Sequence, residues 1–268
     1  MVRFPALKPG DVFTLPDGLI NGPVTLPPRL TGTARKPITI QGGRRTVIYS
    51  TEPGKAALFA KAPRHLRLRN LMVSGSAWDG ISIAGTDWNE QAEDVIVSRV
   101  GVWGVANDGV KIATATDVAL LDSEVHGGAD QAVDFFGVQG GRIGRNKLFG
   151  PGQAAVFAKA GSTDVRVFHN TIEGAVDGIH LGDHGDGTKH RPGSEFEAED
   201  CIAELNRIRV ETGRCVVFAG ARHCGARAND WATARTFPNG KVAPLFVMTE
   251  ARRGAQRIAS VDCWAEAA

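Results

Sequence analysis

Hydrophobic and polar residues alternate in short stretches along most of the chain. These stretches are rich in β-branched residues, and Gly, Asn, Asp or Ser separates one stretch from the next. Alternation with a period of two, punctuated by turn residues, is typical of β-strands. No window shows the 3.6-residue apolar period of an amphipathic helix, so the pattern predicts an all-β protein with few helices.

The predicted strands recur as a repeat. Five segments share one pattern: 79–83, 108–112, 131–135, 154–158 and 177–181. They begin 29, 23, 23 and 23 residues apart. A leucine-rich repeat would show a leucine consensus that this sequence lacks, and a propeller blade needs about 40 or more residues. We therefore predict a single-domain right-handed parallel β-helix, a solenoid with about 23 residues per coil.

The repeat also divides the chain into parts. One domain is predicted to span residues 1–268, with residues 1–22 as the N-terminal cap and residues 225–268 as the last coil and C-terminal cap, because stacked repeats need capped ends. Two stretches exceed the repeat, residues 86–93 and 182–198. Insertions in solenoids form loops beside one face, which is often the binding face, and a solvated surface loop is the other interpretation.

Alternation assigns each strand residue to a face of the solenoid. The inward positions of the repeated strand carry Ile81, Ile83, Val110, Ile112, Val133, Phe135, Val156, Ala158, Ile179 and Leu181. We expect these side chains to stack in rows and to form the core. Asn146, Asn170 and Asn206 are predicted to bond the turn backbone as a partial asparagine row.

The outward positions of the same strand form a column of candidate functional residues. The column reads Lys111, Asp134, Phe157 and His180, with Phe136 and Lys159 beside it. Neighbouring parallel strands lie about 4.8 Å apart, so these side chains are expected to be neighbours. Lys111 and Asp134 would then be part of a reaction centre or simply a cross-strand ion pair. The two phenylalanines would stack on sugar rings or be buried by a covering loop.

Composition excludes some classes of partner. Lys plus Arg is 31 and Asp plus Glu is 29, so the net charge of +2 gives no bulk attraction to nucleic acid or to an anionic membrane. No apolar run reaches the roughly 18 to 20 residues of a membrane helix. The first residues do not read as a leader; we expect a secreted or periplasmic protein, with the cytoplasm as the alternative.

The four cysteines lie in the last third of the sequence. They are Cys201, Cys215, Cys224 and Cys263. No two of them form a C-x-x-C pair, so we expect no zinc site. Free thiols and a disulfide such as Cys215 to Cys224 are both compatible with this spacing.

Three stretches resemble a known enzyme family. Residues 7–15, 32–40 and 156–172 are similar to the polysaccharide lyases of the chondroitinase B and alginate lyase family, and the similarity covers roughly residues 7–220. The resemblance implies a parallel β-helix that acts on an acidic polysaccharide or oligosaccharide. Lys159 matches the lysine base of that family. His180 stands where the family has an arginine, and His184 follows closely.

The resemblance also bears on cofactors. The carboxylates that bind calcium in that family would fall near residues 152–154, where this chain has Gly, Gln and Ala. We therefore expect no metal and no other cofactor, although calcium held by other ligands stays open.

The chemistry of a uronate lyase assigns roles to the candidates. Such an enzyme removes the proton on C5 and expels the C4 oxygen, so it needs a base, an acid and a cation for the carboxylate. We expect Lys159 as base and His180 or His184 as acid. Lys111, Lys189 or Arg191 would bind the carboxylate. The other expected substrate contacts are Asp134, Phe136, Phe157 and Asp183.

Other functions share this fold. A glycoside hydrolase would need two carboxylates, for which Asp130 with Asp134 or Asp183 with Asp186 are the candidates. A C5-epimerase would remove the same proton without elimination. A non-catalytic carbohydrate-binding or phage-spike-like β-helix is a further alternative. We expect a monomer for an enzyme and a trimer for a spike.

Overall fold

The computed structural model describes residues 2–150, 152–183, 190–211, 213–233, 246–249, 251–253 and 256–267. Thirty strands and no helix occur in these segments. Consequently, no helix in this part of the chain is long and apolar enough to cross a membrane. Most of the strands lie parallel, in three stacks that run along one axis.

The first stack carries the repeated strand that the sequence singled out. Its members are β3 (Val24–Thr25), β6 (Leu58–Lys61), β9 (Ile81–Ala84), the start of β12 (Val110–Leu121), the start of β14 (Val133–Gly144), β16 (Ala154–Lys159), β20 (Asp177–Gly182), β24 (Val216–Ala219) and β27 (Phe246–Thr249).

The second stack follows the first in each coil. Its members are β1 (Val12–Thr14), β4 (Ile38–Gln41), β7 (Arg64–Arg69), β10 (Ala92–Ser98), the remainder of β12 and β14, β17 (Ser162–Thr163), β18 (Arg166–Phe168), β21 (Ala198–Glu199), β22 (Ile202–Glu204), β25 (Ala221–Arg222), the start of β26 (Gly225–Thr233) and β30 (Trp264–Ala267).

The third stack completes the coil. Its members are β2 (Gly18–Asn21), β5 (Thr46–Ser50), β8 (Met72–Ser76), β11 (Gly101–Val105), β13 (Glu124–His126), β15 (Lys147–Phe149), β19 (Thr171–Ala175), β23 (Arg207–Val210) and the end of β26. Outside the stacks, β28 (Ala251–Arg253) and β29 (Gln256–Ile258) form an antiparallel pair.

The order of the stacks makes the chain a solenoid. It passes through the first, second and third stack in turn and then returns to the first, one rung further along the axis. The predicted all-β, right-handed parallel β-helix is confirmed. β1 and β2 lie within residues 1–22, where we expected a cap, and they pair with β4 and β5 as rungs of the solenoid.

The core consists of the inward rows that alternation assigned. All ten residues named above for the repeated strand are 0% exposed, as predicted. Burial of apolar area stabilises the fold by about 25 cal/mol per Å². Because the inward side chains are fixed by this burial, the intervening residues of the same strands must point outward.

The second stack has a corner of its own in each of several coils, built from residues that tolerate left-handed backbone. Asp94, Asp117, Asp164 and Asp200 have φ angles of 47°, 53°, 55° and 54°. Aspartate and asparagine adopt this conformation at lower cost than most residues. The recurrence of the same backbone geometry lets successive coils superpose at the corner.

The predicted asparagine row is confirmed at the corner between the second and third stacks. Asn146 Oδ1 accepts from the Ser123 backbone N–H at 3.0 Å, and Asn170 Oδ1 accepts from that of Asn146 at 3.0 Å. Asn206 Oδ1 accepts from the Asn170 backbone N–H at 2.9 Å, and Asn229 Oδ1 accepts from that of Asn206 at 2.9 Å. Asn229 was not part of the predicted row. Each amide thus satisfies a buried backbone donor of the preceding coil.

The cysteines are thiols in this structure. Cys201, Cys215 and Cys224 are buried, and Cys263 is partly buried. Of the two states left open by the sequence, the structure has the free thiols and no Cys215–Cys224 bond.

Candidate functional site

The outward column of the first stack brings the predicted residues together. In the parallel register Lys111 lies opposite Asp134, Asp134 opposite Phe157, and Phe157 opposite His180. Lys111 and Asp134 are 23 residues apart in the sequence. Lys159 lies opposite Phe136, two residues further along the strands. These residues line one surface, which we call the groove.

Lys111 is held between two buried carboxylates. Its Nζ lies 2.5 Å from Asp134 Oδ2 and 2.8 Å from Asp108 Oδ2. Both aspartates are 0% exposed, whereas 30% of the lysine side chain is accessible. Although burial opposes it, the charges of Asp134 and Asp108 hold the pKa of Lys111 above its usual value. Lys111 therefore presents a permanent ammonium group to the groove.

Asp108 titrates abnormally because of where it is buried. Burial, followed by the negative charge of Asp134, raises the pKa of Asp108 to about 6. Its other oxygen accepts from the Gln131 backbone N–H at 3.1 Å. A carboxyl whose pKa is shifted by burial and by a specific charge, beside a groove, is characteristic of functional sites.

The sequence reasoning missed Asp79 and Asp108. Each precedes the alternating part of its strand, so the assignment of faces did not include them. Asp79 is 2% exposed and accepts from Asn107 Nδ2 at 2.8 Å. Burial raises the pKa of Asp79. The signal that could have found both residues is the Asp-Gly pair with which their repeats begin.

Lys159 is the second cation of the groove. Its Nζ lies 3.7 Å from Asp134 Oδ1 and 3.7 Å from Asp183 Oδ2, and 4.4 Å from the centre of the Phe157 ring. The lysine side chain is 14% exposed and that of Asp183 is 30% exposed. Asp134 thus lies beneath both lysines, and Asp183 contributes the accessible carboxylate beside Lys159.

His180 lies behind Phe157 rather than on the groove surface. The two ring centres are 4.3 Å apart, and Phe157 and His180 are each 4% exposed. Phe157, expected on an outward face, is therefore covered by its neighbours and touches both Lys159 and His180.

A hydrogen bond to Asp177 fixes the imidazole of His180. Its Nε2 lies 2.9 Å from Asp177 Oδ2, which also accepts from the Arg214 guanidinium at 2.6 Å. Burial lowers the pKa of His180, with partial compensation by Asp177. Although burial opposes it, the hydrogen bonds from His180 and Arg214 hold the pKa of Asp177 well below its usual value. The imidazole is therefore neutral at pH 7.

Arg191 braces the turn that follows β16. Its backbone N–H donates to Ala160 O at 3.0 Å, its Nε donates to Gly161 O at 2.8 Å, and its guanidinium reaches Gln139 Oε1 at 3.3 Å. These bonds fix the chain directly after Lys159. Binding of a carboxylate by Arg191 would have to compete with them. The other expected residues of this loop, His184 and Lys189, lie outside the described residues, as does Asp186.

Phe136 is half-buried at the edge of the groove, beside the first insertion. Trp88 of that insertion packs directly on Gly137, where an added Cβ would lie 2.3 Å from the indole ring. Gly137 also has a φ of 62°, so both the backbone and the close contact require glycine there. The insertion therefore forms one wall beside the groove.

Comparison with known proteins identifies the architecture and nothing narrower. No family model matches the sequence, and no curated protein matches it. Solved structures do match.

One solved structure is an alginate lyase from Paenibacillus sp. str. FPU-7, with a TM-score of 0.60 and 16% identity over 88% of this chain and 91% of the lyase. Another is the A-module of the mannuronan C-5 epimerase AlgE6 from Azotobacter vinelandii, with a TM-score of 0.68 and 15% identity over 95% of this chain and 76% of the epimerase module. The pectate lyase Pel9A matches with a TM-score of 0.62 and 13% identity, over 98% of this chain and 71% of the lyase. At these identities the likeness shows the fold alone, and that fold is the right-handed parallel β-helix.

Proposed function

We propose that this chain is a polysaccharide lyase that cleaves a uronate-containing polymer by β-elimination. The observation that carries the proposal is the pair of lysines in one groove. Lys111 and Lys159 are accessible, whereas Asp108 and Asp134, which hold them, are 0% exposed. The groove thus offers the ammonium of Lys111 and the amino group of Lys159 to a ligand, while the carboxylates of Asp108 and Asp134 lie beneath them. An acidic sugar complements this surface.

Lys111 is suited to bind the carboxylate of the reacting uronate. Its raised pKa keeps it protonated throughout the neutral range. Removal of the C5 proton places negative charge on the adjacent carboxylate, and a cation fixed at that position stabilises the transition state. Asp108 and Asp134 position the ammonium without reaching the substrate themselves.

Lys159 is suited to transfer the proton. Its free amine would take the C5 proton while the C4–O bond breaks and the C4=C5 double bond forms, and the resulting ammonium would then protonate the departing C4 oxygen. Lys159 alone would then supply both the base and the acid.

Neither of the two histidines expected as the acid is assigned that role in this mechanism. His184 lies outside the described residues. His180 is 4% exposed and separated from the groove by Phe157, so we assign it to the support of that ring. The aromatic ring in turn contacts the Lys159 ammonium and fixes its direction.

Calcium does not fit the described groove. The buried carboxylates of Asp108 and Asp134 already share the Lys111 ammonium at hydrogen-bond distance. A divalent ion between them would stand next to that ammonium. We therefore propose a metal-independent reaction, in which added EDTA leaves the initial rate unchanged and calcium addition does not raise it.

Two observations separate this proposal from the alternatives. A hydrolase built on Asp130 and Asp134 would need both carboxylates to reach the glycosidic oxygen, and Asp134 has no exposed surface. A hydrolase built on Asp183 and Asp186 is distinguished by its saturated product. A purely binding module does not require a carboxyl with a shifted pKa, and the raised pKa of Asp108 is of the kind common at catalytic sites. A C5-epimerase would use the same proton removal and is distinguished by its product.

The test is product formation by the Lys159→Ala variant on a panel of uronate polysaccharides such as alginate and pectate. Wild type should give unsaturated products that absorb in the ultraviolet, and Lys159→Ala should lose at least about 1,000-fold in rate, as expected for loss of a general acid–base group. Lys147→Ala removes an exposed lysine of the third stack and serves as the control. Full activity of Lys159→Ala would refute the assignment.

A further inference from the structure

A cavity continues the groove toward the N-terminus. Its volume is about 620 Å³, and its wall includes Ser82, Phe59 and Thr25. Ser82 lies opposite Lys111 in the parallel register, Phe59 opposite Ser82, and Thr25 opposite Phe59. Adjacent strands lie about 4.8 Å apart, so the cavity begins one rung from Lys111 and follows the same column away from it.

Aromatic surface faces this cavity. Trp78 lines it and is 46% exposed, an unusual state for a tryptophan in a soluble protein. The turn that carries Trp78 is fixed, because Ser76 Oγ accepts from the Trp78 backbone N–H at 3.2 Å and donates to Asp79 O at 2.7 Å. Phe59 adds a half-buried ring. An indole that is carried on a fixed turn and has an open face suits stacking on the apolar face of a sugar ring.

Charged groups surround the aromatic surface. Lys55 and Glu52 pair at 2.6 Å on the rim, with 63% and 48% of their side chains exposed. Asp79 lies in the wall with one oxygen bound to Asn107. The backbone N–H of Asp108 contacts that same oxygen at 3.4 Å. The wall residue Asp79 thus connects the cavity to the backbone of Asp108. The rim carries one lysine, Lys55, whose carboxylate partner in this structure is Glu52.

We propose that this cavity is a subsite for uronate units next to the reacting one, with Trp78 as stacking platform and Lys55 as carboxylate partner. The proposal rests on the lyase function argued above and specifies how the polymer lies. The chain of sugars would cross the strands of the first stack and run along the solenoid axis, from the cavity past Lys111 to Lys159.

The test compares Trp78→Ala with Trp264→Ala, which removes an exposed tryptophan of the last coil. Binding of uronate oligosaccharides of increasing length is measured by calorimetry in the inactive Lys159→Ala background, so that no turnover occurs. Trp78→Ala should raise Kd for the longer oligosaccharides about tenfold, the loss expected for one aromatic contact, and leave the shortest ligand unchanged. Trp78→Phe should recover part of the affinity, which a merely structural defect would not allow.

The possible results separate the two proposals. If Trp78→Ala and Trp264→Ala bind every length equally, the subsite is refuted and the lyase function stands. If Lys159→Ala and wild type bind no uronate polymer, both proposals fail. A thermal melt of each variant checks the fold, and a length-independent loss of affinity in Trp78→Ala would also count against the subsite.

Discussion

At the scale of single residues, the groove depends on charges that are buried together. Asp134 is 0% exposed and lies within 4 Å of both groove lysines. Burying a carboxylate without a partner is costly, so each buried acid here requires its lysine. The lysines in turn owe their position and their charge to the acids. Stability and the proposed chemistry therefore depend on the same contacts.

Removal of Lys111 should be costly because it leaves Asp108 without its counterion and Asp134 with only the more distant Lys159. Lys111→Met is expected to lower the free energy of unfolding by about 3 kcal/mol at neutral pH. This is the low end for breaking a buried pair from one side, because Lys111 is partly exposed and Asp134 keeps Lys159. Urea unfolding measures the change. Lys55→Met, which removes an exposed lysine, should change it by less than about 0.5 kcal/mol. Equal effects of the two variants would contradict this account of the cluster.

Asp108 should make the protein less stable as the pH rises. Its pKa is raised from 3.8 to about 6 by burial and by the charge of Asp134. The folded state therefore binds more protons than the unfolded state in this interval. The stabilising contribution is fully present below about pH 4 and is lost as the pH rises through about 6.

Asp108→Asn tests this pH dependence. The variant should remove on the order of 2–3 kcal/mol of the decrease in unfolding free energy between about pH 4 and about pH 7. Denaturant titrations across that range measure it, with the exposed Asp11→Asn as control. An unchanged pH profile in Asp108→Asn would show that the carboxyl titrates normally.

At the scale of elements, each coil is aligned by a corner that repeats its hydrogen bonds. Asn170 shows the arrangement: its Oδ1 accepts from the Asn146 backbone N–H at 3.0 Å, and its Nδ2 donates to Ile143 O at 2.9 Å. A coil that turns at the wrong residue would break both bonds. The asparagines thus help to set the register that brings Lys111, Asp134 and Phe157 into one column.

Asn170→Ala should destabilise the solenoid by about 1–3 kcal/mol, because it leaves a buried backbone donor and a buried carbonyl without partners. Asn89→Ala, in the exposed first insertion, is the comparison and should be nearly neutral. Chemical unfolding measures the free energy of unfolding of both variants. A neutral Asn170→Ala would mean that water or local relaxation replaces the bonds.

The sequence predicted this register where the repeat is regular and missed what lies across an interruption. Lys111, Asp134, Phe157 and His180 follow one another without insertions, so counting alone placed them opposite each other. Arg214 lies 37 residues beyond its partner Asp177, across the second insertion, and no periodicity connects the two. Trp78 was missed because it lies in a turn, where strand alternation says nothing about direction.

The sequence left the burial of the outward phenylalanines open, with stacking on sugar rings and burial by a covering loop as the alternatives. Alternation predicts that Phe157 points away from the core, yet the ring is 4% exposed because Lys159 and His180 cover it. Whether an outward residue meets water depends on the side chains of the neighbouring rungs. The same is true of His180, which the ring of Phe157 separates from the groove surface.

At the scale of the whole molecule, the solenoid converts sequence spacing into a linear surface. Each rung adds about 4.8 Å along the axis, so a polymer that runs parallel to the axis meets one outward residue per rung. The cavity beside Trp78 and the cluster at Lys111 and Lys159 occupy consecutive stretches of one such line. An extended polysaccharide fits this geometry better than a compact ligand.

The proposed enzyme function also predicts the oligomeric state of the protein. A lyase built from one chain's groove should be monomeric, whereas a spike-like structural protein should be trimeric. Size-exclusion chromatography with light scattering should give the mass of one chain across micromolar concentrations. A stable trimer would contradict the monomer expectation and favour the structural role.

The most direct test of the central claim follows the C5 proton itself. Wild-type protein is incubated with alginate or pectate in heavy water, and the products are examined by NMR. A lyase predicts chain ends with a C4=C5 double bond, and these ends should be absent with Lys159→Ala. Deuterium at C5 in chains of unchanged length would indicate an epimerase. Saturated chain ends, or no change in any uronate polymer, would contradict proton abstraction by Lys159.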